Sequence, residues 1–212
     1  MFITFEGIDL SGKSTQIKLL AEYLTKLKKK VVIVREPGGT KISEKIRDIL
    51  LDKDHYEMAD TTEFMLFSAS RRQLTEEIII PSLKKRSYVI SDRYYDSSTA
   101  YQGYGGGLDL KMINSINNVA SCGIEPDITI LLEIDLQCWL SRKKTEGRTE
   151  DRIESKKIAY YRKVINGYKK IAEMNKKRFV IVDATASKQE VHENIVSALS
   201  NFTKKKKSKS SI

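Results

Sequence analysis

One stretch constrains this chain more than any other: Gly7-Ile8-Asp9-Leu10-Ser11-Gly12-Lys13-Ser14. It stands between an apolar, strand-like run, Phe2–Phe5, and a stripe of Ile17, Leu20, Ala21, Leu24 and Leu27 at helical spacing. A strand, a turn with two spaced glycines and a helix start force successive backbone N–H groups to converge on one point. The helix N-terminus faces the same point, so the turn is built to hold an anion, and Lys13 adds a cation to it. The pattern G-x-x-x-x-G-K-[ST] in this strand–helix context is a phosphate cradle, here Gly7, Ile8, Asp9, Leu10, Ser11, Gly12, Lys13, Ser14 and Thr15. The Ser14 hydroxyl is placed to ligate Mg²⁺ beside a nucleoside triphosphate. Asp9 is out of character there, since a carboxylate aimed at phosphate would repel it. On the loop alone it is either a turn residue bonding its own backbone or a group aimed at a second substrate.

Four further β-rich runs follow: Val31–Val34, Tyr88–Ser91, Ile128–Ile134 and Phe179–Val182. Several are apolar without alternation, as strands buried on both faces are. Helical stretches separate them. One opens at Asp60-Thr61-Thr62-Glu63, an acid at the cap with Glu three residues on, and runs towards Pro81. Others cover Glu154–Asn175 and about Lys188–Phe202. The alternation predicts an α/β fold with a five-stranded parallel sheet flanked by helices, in one domain over residues 1–202. Tyr104-Gly105-Gly106-Gly107 reads as a flexible turn, and the charged stretch Ser141–Ile153 as a small mobile lid.

Composition excludes several alternatives. No apolar run approaches the ~18 residues that a bilayer crossing needs, and Met1 leads straight into FITFEGID, without a basic and apolar leader. A cytoplasmic protein is expected. Two cysteines make no disulfide framework, and two histidines leave no zinc cluster and little scope for a Ser-His-Asp machine. Five of the ten net positive charges fall in Thr203–Ile212, which reads as a disordered basic tail. It lacks interleaved aromatics, so no specific nucleic acid is expected.

Other motifs admit two readings each. Arg35-Glu36-Pro37-Gly38-Gly39-Thr40 ends the second strand at the edge where open α/β sheets bind ligands, and Arg47 follows on the next helix. A lone surface Arg is ordinarily a solvated charge. Phe67 and Arg71, four apart, share a helix face, where Phe serves either the core or an aromatic platform. Asp92-Arg93 follows the third strand, either as a structural pair or as a metal and phosphate site.

Taken in order, these motifs resemble bacterial thymidylate kinases, in the P-loop nucleoside monophosphate kinase family. The resemblance includes Phe67-Ser68-Ala69-Ser70-Arg71-Arg72, Asp92-Arg93-Tyr94-Tyr95-Asp96-Ser97-Ser98, Ala100-Tyr101-Gln102-Gly103, Pro126-Asp127 and Asp151-Arg152-Ile153-Glu154, and spans nearly all of residues 2–202. It implies a three-layer P-loop NTPase fold, transfer of a phosphoryl group from ATP to dTMP with Mg²⁺, and a homodimer. By resemblance, Asp9, Pro37, Arg47, Phe67, Arg71, Arg93, Ser98, Tyr101 and Gln102 bind dTMP, and Ser14 and Asp92 hold the metal. Tyr101 would pack where a ribose 2′-hydroxyl would stand. Asp9, Lys13, Arg93 and Arg148 are the expected catalytic set. Relatives with an arginine at the position of Leu10 use it on the phosphates; Leu10 cannot, so Arg142, Arg148 and Arg152 in the lid become candidates, with Arg148 first. The acceptor is itself a phosphate, mostly a dianion near neutral pH, so no general base is needed. For the dimer, apolar faces of Thr61–Pro81 and Ile42–Leu51 are expected to pair across a two-fold axis.

Overall fold

In a computed structural model that describes residues 1–146 and 151–209, the five apolar runs fold as parallel strands. They are β1 (Phe2–Glu6), β2 (Val31–Arg35), β3 (Tyr88–Asp92), β4 (Ile128–Glu133) and β5 (Phe179–Asp183). Their order is β2-β3-β1-β4-β5. Every residue of β1 is buried, as its central place demands. Register places Phe5 beside Asp92 and Ile130, and Arg35 beside Asp92, so the carboxyl ends of β1, β2 and β3 meet along one line. That line is where the site forms.

The helices are α1 (Lys13–Lys26), α2 (Lys41–Leu51), α3 (Asp60–Leu74), α4 (Ile80–Lys84), α5 (Tyr95–Ser98), α6 (Leu110–Ala120), α7 (Leu136–Glu146), α8 (Ile158–Met174) and α9 (Lys188–Lys209). The larger core lies around β1 and β4 with α1, α8 and α9, and includes Leu20, Tyr161 and Ile195. Among the described residues no helix is long and apolar enough to cross a membrane.

Six local readings differ from the sequence expectation. Asp60 does not cap α3: Ala59 holds the cap position without a side-chain bond, and Glu63 turns inward to Gln102 and Arg152. The helix also does not run unbroken to Pro81, because a π-helical segment, Thr75–Ile79, intervenes before α4. Tyr104 and Gly105 are no flexible turn but the end of a second π-helical segment, Thr99–Gly105, lying on α8. Close packing requires glycine there: a Cβ on Gly105 would stand 2.8 Å from Tyr160 and Val164. Finally, α7 carries the start of the expected lid as helix through Glu146, anchored by Trp139 stacked on Tyr161 at 4.4 Å. From Asp151 on, its carboxylate accepts the Ile153 and Glu154 N–H groups in a turn, so α8 starts only at Ile158. At the other end α9 continues through Lys209, taking in most of the expected tail, whose run of Lys contains no helix breaker.

Candidate active site

The phosphate loop takes its shape from backbone packing. Gly7 has φ of 135°, and a Cβ on it would stand 2.6 Å from the Leu132 carbonyl oxygen and 2.9 Å from Ser11 Oγ. Gly12 stands at the cap of α1, and no side chain blocks the first N–H groups of the helix. Lys13 folds back over the loop, its Nζ donating to the Gly7 and Ile8 carbonyl oxygens at 3.1 and 3.0 Å. Ser14 Oγ donates to Asp92 Oδ2 at 3.3 Å across the tips of α1 and β3.

A cavity of about 450 Å³ opens from this loop along the carboxyl edge of the sheet. Lys13, Ser14, Thr15 and Asp92 line one part of it. All nine residues expected to bind the acceptor nucleotide line it too: Asp9, Pro37, Arg47, Phe67, Arg71, Arg93, Ser98, Tyr101 and Gln102. Residues far apart in the chain are thus brought together by the strand ends and by α2, α3 and the segment after β3.

Arg93 stands at the junction, in the left-handed region with φ of 72°. Its Nη2 donates to Asp9 Oδ1 at 2.7 Å and to the Tyr101 hydroxyl at 3.2 Å. Nη1 donates to the Gly7 carbonyl at 3.0 Å, Ser97 Oγ at 3.1 Å and the Tyr168 hydroxyl at 3.3 Å. The guanidinium also lies 5.0 Å from the centre of the Tyr101 ring. The Asp9 carboxylate accepts from Arg93 and from the Tyr101 hydroxyl in the cavity wall. Burial pushes the Asp9 carboxyl up, but Arg93 and Lys13 outweigh it and hold the group at about 2.

The deeper end is built around Arg71, whose side chain is almost fully buried. Nε donates to Glu36 Oε2 at 2.8 Å, Nη1 to Asn117 Oδ1 at 3.0 Å, and Nη2 to Ser98 Oγ at 3.0 Å and the Tyr94 carbonyl at 3.3 Å. Gln102 is fixed by its amide bond to Glu63 at 2.9 Å. Phe67, half-buried, both lines the cavity and leans on the core. Arg47 is half-buried rather than free in solvent, and its Nη1 donates to the Pro37 carbonyl at 2.9 Å.

The lid arginines have different places. Arg142 donates to the Leu10 and Ala184 carbonyl oxygens at 2.8 and 2.6 Å, tying the phosphate loop to the turn after β5. Arg152 pairs with Glu63 at 2.8 Å and donates to the Leu50 carbonyl, away from the cavity lining. Arg148 lies outside the described residues.

Two acids escaped the sequence reading of the site. Glu36 was visible within its motif, yet its burial beneath Arg71 was not; burial pushes its carboxyl up to about 7, against the pull of Arg71. Glu6, at the end of β1, is fully buried behind Arg93. For Glu6 the signal was an acid ending an apolar strand, and for Glu36 an acid one residue beyond one.

Comparisons with known proteins point to one family. The family model for thymidylate kinase matches residues 5–195. A thymidylate kinase of Kosmotoga olearia is 42% identical over 196 residues, covering 92% of this chain and 93% of that protein. One of Prosthecochloris aestuarii is 44% identical over 207 residues, covering 94% of this chain and 92% of that protein. The crystal structure of thymidylate kinase from Ehrlichia chaffeensis superposes with a TM-score of 0.75 at 35% identity, covering 94% of this chain and 98% of that one. The chain belongs to the thymidylate kinase family.

Proposed function

We propose that the chain transfers the terminal phosphoryl group of ATP to dTMP, releasing ADP and dTDP for dTTP synthesis. One observation carries this reading beyond family membership: a single cavity joins the Lys13–Ser14 loop to the Phe67–Arg71–Gln102 pocket, with Asp9 and Arg93 between them.

The chemistry follows from charge. Donor and acceptor bring several negative charges together, and their repulsion is the main obstacle. The loop N–H groups and Lys13 hold the donor phosphates, while Arg93 and Arg47 hold the acceptor phosphate, which is already the nucleophile. Phe67 offers a ring face to the thymine, and Arg71, Ser98 and Gln102 offer polar atoms to its edge. Tyr101 closes the space that a 2′-hydroxyl would fill.

Ser14 and Asp92 offer a hydroxyl and a carboxylate, hard oxygen donors that suit Mg²⁺. Among the described residues no cluster of three or more His, Cys, Asp or Glu could hold a metal alone, so phosphate oxygens and water would complete the shell. Bound there, Mg²⁺ supplies charge neutralisation between the donor phosphates.

Ile42 and Ile49 on α2 and Met65 on α3 are large apolar side chains left 53%, 43% and 53% exposed. We place a two-fold interface of two copies on that face. Light scattering on the eluting protein should give a two-chain mass; a one-chain mass would refute it. We place the reaction in the cytoplasm, with which the free thiols of Cys122 and Cys138 agree.

The function itself is tested by coupled ADP release with ATP and Mg²⁺ across a panel of nucleosides and nucleoside monophosphates. dTMP should be the fastest acceptor, with dTDP recovered. Faster turnover of thymidine than of dTMP, or no dTDP at all, overturns the reading.

A further inference from the structure

Glu6 ends β1 one residue before the phosphate loop and has no exposed surface. Its Oε1 accepts the Tyr94 N–H at 2.8 Å. Its Oε2 accepts the Ser97 hydroxyl at 2.5 Å and the Tyr168 hydroxyl at 2.8 Å. Those two hydroxyl oxygens are also the ones that take bonds from Arg93 Nη1, at 3.1 and 3.3 Å.

A hydroxyl has one proton to give. A carboxylate can only accept, so both protons go to Glu6 and both sets of lone pairs remain for Arg93. We propose that Glu6 is a positioning residue: as the anion, and only as the anion, it acts through Ser97 and Tyr168 to fix the Arg93 guanidinium in the cavity. This inference rests on the reading of Arg93 as a phosphate-holding group. When Glu6 is neutral, one of its oxygens carries a proton and must itself donate, so one hydroxyl has to turn. The Ser97 and Tyr168 oxygens stand 2.9 Å apart, so a hydroxyl released by Glu6 can donate to the other instead of opening a lone pair to Arg93.

The surroundings place the change of state within reach. Burial, then the Asp96 charge, pushes the Glu6 carboxyl up to about 7, against Arg93 and the two hydroxyl bonds. Asp96 is itself bound by Arg178 at 2.7 Å from the start of β5. Lys13 faces Glu6 from α1, Asp9 reaches the same Arg93 from the loop, and Tyr168 comes from α8. The carboxyl is therefore neutral below about pH 7 and an anion above it.

The test compares Glu6→Gln with the parent enzyme from pH 5.5 to 9, as a ratio of kcat for dTMP. The ratio cancels the titration of the substrate phosphate, which falls near ~6. We expect it to be about 0.1 at pH 8.5 and to rise towards 1 below pH 6, where the parent also carries a neutral Glu6. A flat ratio, as loss of packing alone would give, or one never below about 0.7, overturns the proposal. Should Glu6→Gln not fold, Tyr168→Phe removes one relay hydroxyl and should show the same slope with a shallower fall; a flat ratio there also overturns it. The side-chain ¹⁵Nε–H resonance of Arg93 in the ligand-free parent should move with a midpoint near pH 7, and a resonance unmoved from pH 5.5 to 9 counts against the proposal. That readout needs no turnover, so a parent that shows the midpoint but makes no dTDP sinks the functional reading alone.

Discussion

Lys13→Met should lower kcat by about a thousandfold while leaving the melting temperature unchanged or slightly raised. Lys13 is only 7% exposed, its ammonium rests on two backbone carbonyls, and among the described residues it has no carboxylate within ion-pair distance. Burial first, and then the like charge of Arg93, disfavours its charged form; Asp9, Asp92 and Glu6 oppose that only from a distance. Such a cation is costly to the empty protein and useful only when phosphate arrives. Removing one preorganised charge from a site of this kind costs about 10²–10³ in rate, and the phosphate-loop lysine sits at the upper end because charge neutralisation is most of the catalysis. The same substitution relieves a desolvated charge, so stability should not suffer. KM for dTMP should stay within about threefold, since Arg47, Phe67 and Arg71, proposed to hold the acceptor, line other walls of the cavity. Steady-state kinetics and thermal melts read all three. A kcat within tenfold of the parent would remove Lys13 from the catalytic set.

Lys13 was legible in the sequence because its role needs only local chain: strand, turn and helix lie within one short segment. The same holds for the five strands, whose apolar runs announced a doubly covered parallel sheet. The residues that line the rest of the cavity were legible for another reason. Phe67 at helical spacing with Arg71 could not be separated from core by period alone, and only the order of motifs along the chain favoured the pocket. What stayed hidden was burial created by distant chain. Glu63 matched a capping box, yet Arg152 and Gln102 draw it inward. Glu6 carried no reading of its own in the sequence. It is buried because Tyr94, 88 residues on, and Tyr168, 162 residues on, close over it. The glycines after Tyr104 signalled a turn, because nothing local shows that α8 will press against Gly105. Local spacing carries propensity and periodicity; it does not carry which distant side chain will arrive.

Glu36 and Arg71 give the second large effect, and it falls on stability as well as binding. Arg71→Leu should destabilise the protein by about 3–5 kcal/mol, the usual result of removing one partner from a buried ion pair. For a chain of this size that is a fall of about 10 °C or more in Tm. Glu36 is left with a side chain only 3% exposed. Its Oε2 loses the 2.8 Å bond to Nε, and among the described residues its Oε1 has no hydrogen-bond partner to begin with. The pH dependence has a definite sign. Burial already raises the Glu36 carboxyl from 4.5 to about 7 while Arg71 pulls it down, so without Arg71 it rises further. A carboxyl raised in the folded state contributes stability at low pH that is lost as pH climbs through its folded value. The deficit of Arg71→Leu should therefore be larger at pH 8.5 than at pH 6. Adding Glu36→Gln should flatten that difference, because the amide does not titrate. The guanidinium also faces the pocket with Ser98 and Gln102, so KM for dTMP should rise at least tenfold, while the donor side keeps Lys13 and Ser14 intact. Denaturant melts at the two pH values, with dTMP titrations alongside, measure each part. A variant melting within about 2 °C of the parent at pH 8.5, with an unchanged KM, would show that the buried pair neither holds the fold nor orients the pocket.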